Sequence, residues 1–210
     1  IATQEEQSQR AFSAAEAGIE ATLQNCTFSS CPVPTAPLEG LDSKTTFQVS
    51  VNVPAGDQFL IEGGNQIQQD EGGQVWLSPF GSSSGTYGGT VYVYWGIPGE
   101  SECTQAAIEV VVLSGSKNSP TLSRVTSDPC TSRRTSNGFS EPTTGLFPVL
   151  GAVFPYRIQL PTISSGLILR VTPLYRSSAA GVTSAPPLPS QGFEITSVGS
   201  TINEENPIKR

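Results

Sequence analysis

Not one histidine occurs in the chain's 210 residues. That removes the commonest general base and the commonest metal ligand, together with any Ser-His-Asp or Cys-His arrangement. Two serine motifs match catalytic patterns by letter. Gly81-Ser-Ser-Ser-Gly85 fits G-x-S-x-G around Ser83, but a nucleophile elbow needs a strand, a sharp turn, a helix and a histidine partner; here it lies in a glycine/serine connector. Ser114-Gly-Ser-Lys117 fits S-x-x-K, which needs its serine at a helix start, whereas Gly115 and Pro120 make it a turn after a strand. Paired carboxylates alone suffice for glycoside hydrolysis, yet Asp70-Glu71 and Glu100/Glu102 sit in polar turns where solvated acids are the ordinary outcome. No calcium-loop pattern occurs. No catalytic residue, metal or cofactor is expected, and the chain reads as non-enzymatic.

Trp76, Tyr87, Tyr92, Tyr94 and Trp95 are the residues that a sugar-stacking platform would use. Tyr92 and Tyr94 share one face of a strand and Val91, Val93 and Trp95 the other, so one of the two sets belongs to a core. Four cysteines, Cys26, Cys31, Cys103 and Cys130, allow three pairings, and sequence alone does not choose among them. The spacing favours Cys26–Cys31 with Cys103–Cys130. A four-cysteine zinc site lacks its C-x2-C pairs. Oxidised cysteines would place the chain outside the cytoplasm.

The elements that would position these residues are mostly strands. Charged residues are 14% of the chain, well below the roughly 25% of average domains, and glycine, proline, serine and threonine fill the gap. Apolar runs at Val91–Trp95 and Ile108–Leu113 argue for buried strands rather than disorder. Thr45–Val53 alternates, with Phe47, Val49, Val51 and Val53 on one face. Further strands are expected at 58–62, 74–78, 90–95, 105–113, 122–126, 154–160, 167–175 and 193–198, with 90–95 and 105–113 as a central pair. Segment 80–89 reads as a flexible connector, 128–151 as an irregular surface excursion, and Ala185-Pro-Pro-Leu-Pro189 as a bridge. The net charge of −7 and pI near 4.6 oppose nucleic-acid binding. The adjacent pair Arg133-Arg134 reads as two solvated loop arginines.

Ahead of the strands lies Ser8–Leu23, rich in alanine and free of proline. Phe12, Ala15, Ile19 and Leu23 recur at intervals of three or four and define its expected packing face. One amphipathic helix followed by strands predicts an α+β fold, with the N-terminal helix packed on an antiparallel sheet and a β-rich head. The expected divisions are 1–24 helix, 25–44 Cys/Pro-rich linker, 45–199 head, and 200–210 a hairpin or tail whose partner strand is missing.

The run Ala11-Phe-Ser-Ala-Ala-Glu-Ala-Gly-Ile-Glu-Ala-Thr-Leu23 resembles the corresponding segment of bacterial type IV pilin-like proteins, minor pilins of the PilX type in particular. The likeness is sharp over 8–24; weaker echoes lie in Gly166–Tyr175 and Gly192–Gly199, and the middle of the chain carries none. In that family the run follows an apolar membrane half-helix and leads into a globular head. Residues 1–10 are too polar to span a bilayer, so the expected object is a soluble head from a longer product. The resemblance implies a pilus subunit, anchored in the inner membrane through the missing helix before assembly. Its partners would be other pilin subunits, not nucleic acid, with adhesion to a surface ligand through loops 63–73, 80–89 and 128–151. The alternative is a cell-surface β-domain that binds a glycan or protein, with the helix as a stalk.

Overall fold

The computed structural model describes residues 4–27, 30–34 and 45–201, and the backbone of 208–209. Most of the expected linker and tail lie outside the described residues. The chain divides into two compact units, Ile1–Pro54 with Gly192–Arg210, and Ala55–Gln191. The residues of the expected head over 45–199 are shared between the two units: its first and last strands belong with the helix, and the strands between form an insert.

In the first unit, helix α1 (Gln4–Asn25) lies on a three-stranded antiparallel sheet. The sheet's order is β1 (Thr45–Asn52), β11 (Glu194–Thr201), β12 (Ile208–Lys209). Glu5 and Glu6 in the first turn of α1 complement the helix dipole, and Arg10 pairs with Glu6 one turn back at 2.9 Å. At the other end, Asn25 Nδ2 donates to the Ala21 carbonyl at 2.8 Å. Strand β1 keeps its expected alternation through Asn52, and Val53 is exposed beyond it. Strand β12 pairs with Val198 and Gly199, so the hairpin partner that the sequence left missing is in the chain.

The second unit is an all-antiparallel assembly of nine strands. Its main path runs β2 (Gly56–Leu60), β10 (Ala180–Leu188), β4 (Tyr87–Trp95), β9 (Ile163–Leu174), β5 (Ala107–Ser116), β6 (Ser119–Ser127). Off this path, β3 (Gly73–Trp76) pairs with β9, β8 (Ala152–Gln159) with β4, and β7 (Thr143–Val149) with β8. The core takes Val91, Val93 and Trp95 from β4, and Ile108, Val110 and Val112 from β5. Trp95 is fully buried, and its indole N–H donates to the Ala106 carbonyl at 3.0 Å, which satisfies the one polar atom it carries inward.

Three expectations change here. Strands β4 and β5 do not pair, because the twelve-residue β9 lies between them and bonds both. The proline bridge is the end of β10: Thr183 and Ala185 stay in register with β4, and the prolines fall where the ladder to β2 shifts before Leu188. Residues 128–151 are ordered as a short helix, α2 (Thr131–Asn137), followed by the β7–β8 hairpin, with Asp128, Pro129 and Cys130 buried.

Candidate functional site

The helix of the first unit meets its sheet through small residues. Ala11, Ala14, Ala15, Gly18 and Thr22 are buried, whereas Phe12 and Ile19 are half-buried and Leu23 is 56% exposed. Of the expected face only Ala15 is fully covered. Phe12, Ile19 and Leu23 each follow a buried residue by one position, so their stripe is turned about 100° from the sheet. The cause is the close approach of backbones. A Cβ at Gly199 of β11 would overlap the Ala11 carbonyl, and one at Gly18 would lie 2.6 Å from Ser197 Oγ and 2.7 Å from the Phe47 ring. Large side chains do not fit that seam. Thr22 fits because its hydroxyl donates to the Gly18 carbonyl at 2.7 Å. The outcome is a helix with a covered small-residue face and a partly uncovered apolar flank.

In the second unit, the Cys103–Cys130 disulfide stands beside a buried ion pair. Asp128 is fully buried and accepts from Arg133 Nη2 at 2.7 Å, the Cys130 N–H at 2.9 Å and Asn137 Nδ2 at 2.9 Å. Burial pushes its carboxyl up, but the hydrogen bonds from Arg133, Cys130 and Asn137, with the charge of Arg133, outweigh that and hold it below its ordinary value. Arg133 also donates to the carbonyls of Cys103 and Gln105 and lies over the Tyr175 ring. Arg134 donates to the carbonyls of Asp128 and Pro129 and pairs with Glu141. The two arginines are thus structural ties and not solvated loop charges. Nothing in their spacing signalled it, since their partners are mostly backbone carbonyls. The second disulfide, Cys26–Cys31, closes the loop after α1. The two bridges point to an oxidising, extracytoplasmic environment. Among the described residues no helix is long and apolar enough to cross a membrane, and no group of three potential ligands could hold a metal.

The expected aromatic platform is not assembled. Tyr87, Tyr94 and Trp95 are buried, and Tyr92 hydrogen-bonds Gln159 beside Arg157. Trp76 alone of the two tryptophans reaches the surface, where Phe80 meets it edge to face at 4.7 Å. Around it opens a cleft of about 240 Å³. Leu113 of β5 and Ile168 of β9, a ladder pair, line it with Leu167; Pro79 and Pro120 flank it, and Lys117 stands at its rim. Both serine motifs meet here. The Gly85 N–H donates to the Gly115 carbonyl at 2.7 Å, and the Lys117 N–H to the Ser83 carbonyl at 2.8 Å. Segment 80–89, expected as a flexible connector, is thereby pinned. Ser78 Oγ fastens its root by donating to the Gly166 carbonyl and accepting from the Thr86 N–H. The bond that joins Ser83 to Lys117 runs from main chain to main chain, so it does not couple the serine hydroxyl to the ammonium.

The carboxylates Asp70, Glu71, Glu100 and Glu102 are all exposed. Glu100 lines a separate polar cleft of about 270 Å³ with Gln66, Gln105 and Arg176. Compared with protein-family models, curated proteins and solved structures, the chain finds no match.

Proposed function

We propose that the chain is a structural subunit of a type IV pilus-like filament, a non-enzymatic head in the manner of a minor pilin. The supporting observation is the helix: small residues seat it on its sheet while Leu23 stays exposed and Ile19 half-buried on the adjoining flank, as an element shared between its own sheet and neighbouring subunits requires. The local likeness of residues 11–23 to pilin-like proteins and the two disulfides are consistent with this reading. Its partners would be other pilin subunits and, before assembly, the inner membrane through a helix that precedes this segment. No nucleic acid is involved.

The test uses the full gene product in cells that produce it. Leu23→Glu should leave the melting temperature of the head unchanged, because Leu23 is exposed. The variant should nevertheless be missing from the filament fraction sheared from the cell surface. Incorporation of Leu23→Glu at the wild-type level, or absence of the unaltered protein from that fraction, sinks the proposal.

A second reading, a cell-surface β-domain that binds a ligand with the helix as a stalk, is favoured by one feature, the cleft at Trp76. It does not favour a glycan. Planar amide and carboxylate side chains, which can make paired hydrogen bonds to sugar hydroxyls, do not line this cleft among the described residues.

A further inference from the structure

We propose that the Trp76 cleft is a binding site for small amphipathic carboxylates, with the hydrocarbon part on Trp76, Leu113, Leu167 and Ile168 and the carboxylate on the Lys117 ammonium. This site does not depend on a filament role. Three observations select the ligand. First, the lining is apolar apart from Ser78, Ser82 and Lys117, and the Ser78 hydroxyl is already fully engaged. Second, charge favours an anion. The chain carries −7 overall, yet no acidic side chain lines the cleft, and the Lys117 ammonium makes no ion pair among the described residues. A lone cation at the mouth of an apolar trough is complementary to a ligand with one negative end. Third, size and edge chemistry exclude larger occupants. A volume of about 240 Å³ is below the roughly 300–1,000 Å³ of drug-sized sites.

A polypeptide laid along β3 would need the main-chain groups of that strand. At Trp76 they are taken. The Gln191 side-chain amide accepts from the Trp76 N–H at 2.8 Å and donates to its carbonyl at 2.9 Å, which imitates a neighbouring strand. The same bonds fix the backbone that carries the indole. Together with the Leu77 and Ser78 N–H bonds to the Leu167 carbonyl, they make the walls rigid before any ligand arrives.

The chain carries its own reporter, since Trp95 is buried and Trp76 faces the cleft. Octanoate titrated into the whole protein should change tryptophan emission saturably, and a Trp76→Phe variant should lose that change. Lys117→Gln should weaken octanoate binding about fivefold, the effect of one partly exposed ion pair, and Lys117→Arg should restore most of it. Octanol, with the same chain and no charge, should bind wild type and Lys117→Gln alike, and octylammonium should bind more weakly than octanoate. Lys117 is exposed, so its variants should fold, which the thermal midpoint confirms. Four results would each overturn the proposal: no saturable signal up to about 10 mM octanoate, equal octanoate affinity in wild type and Lys117→Gln, octylammonium binding as tightly as octanoate, or a leucine-ended peptide binding more tightly than octanoate.

Discussion

Asp128 is the one fully buried carboxylate among the described residues, and its hydrogen bonds hold it ionised against the push of burial. A folded-state value below the ordinary 3.8 means that its contribution to stability is present above that value and is lost as pH falls through the lower one. Replacing it with asparagine leaves Arg133 tied to the Cys103 and Gln105 carbonyls without its counter-charge. We expect Asp128→Asn to lower the unfolding free energy at pH 7 by about 2–4 kcal/mol. The gap between wild type and variant should shrink as the pH approaches 2, and urea midpoints at a series of pH values measure it. A gap that stays constant with pH would mean that the carboxylate titrates alike in the folded and unfolded states, so that folding does not lower its value. Ser197 presents the opposite case. Its hydroxyl is buried under the helix seam with no hydrogen-bond partner among the described residues. Ser197→Ala should therefore leave stability unchanged or raise it by about 1 kcal/mol.

At the scale of elements, α1 separates two effects that a hydrophobicity profile merges. The seam is a fit between backbones, so added volume is penalised there more than lost hydrophobicity. Gly18→Val would drive side-chain carbon into Ser197, Phe47 and Val49. It should destabilise the first unit by about 1–3 kcal/mol, the usual range for overpacking. Leu23→Asp, on the expected face but exposed, should change the thermal midpoint by no more than a surface substitution does. If the two variants exchanged ranks in a calorimetric scan, the assignment of the covered face would be wrong.

The whole molecule is an insertion. Strands β1 and β11 end their ladder at Asn52 and Glu194, whose side chains also hydrogen-bond at 3.1 Å. The second unit begins and ends on another ladder pair, Gly56 with Leu188. Chain exit and re-entry are thus close together in each unit, the arrangement that lets a domain be inserted or excised. The buried residues of both apolar clusters, spanning Ile61 to Leu188, and the Cys103–Cys130 bridge lie within the insert. Residues 55–191 expressed alone should fold cooperatively with that disulfide formed, as a single melting transition and non-reduced peptide mapping would show. The bridge spans a sequence separation of 27, and on the chain-entropy estimate its reduction should cost about 3.5 kcal/mol. A broad, non-cooperative melt from the isolated insert would mean that the two units depend on each other.

Local order was readable without the fold. Alanine content and the absence of proline define α1, strict alternation defines β1, and the apolar runs define β4 and β5, because each depends on neighbours a few residues apart. The missing histidine excluded the common catalytic arrangements before any geometry was known. Which face α1 buries was decided by tertiary structure, since Gly199 and Ser197 lie far along the chain and demand small partners that carry little hydrophobic signal. Strand order was decided there too: β9 bonds both β4 and β5, a choice set by long-range pairing and not by any local pattern. The same holds for the cleft. Gly81–Gly85 and Ser114–Lys117 are separate motifs in sequence and touching turns in space, and neither motif contains the tryptophan that completes the site. Periodicity records how one segment divides its faces, whereas the identity of the surface each face meets is set by the burial summed over the whole fold.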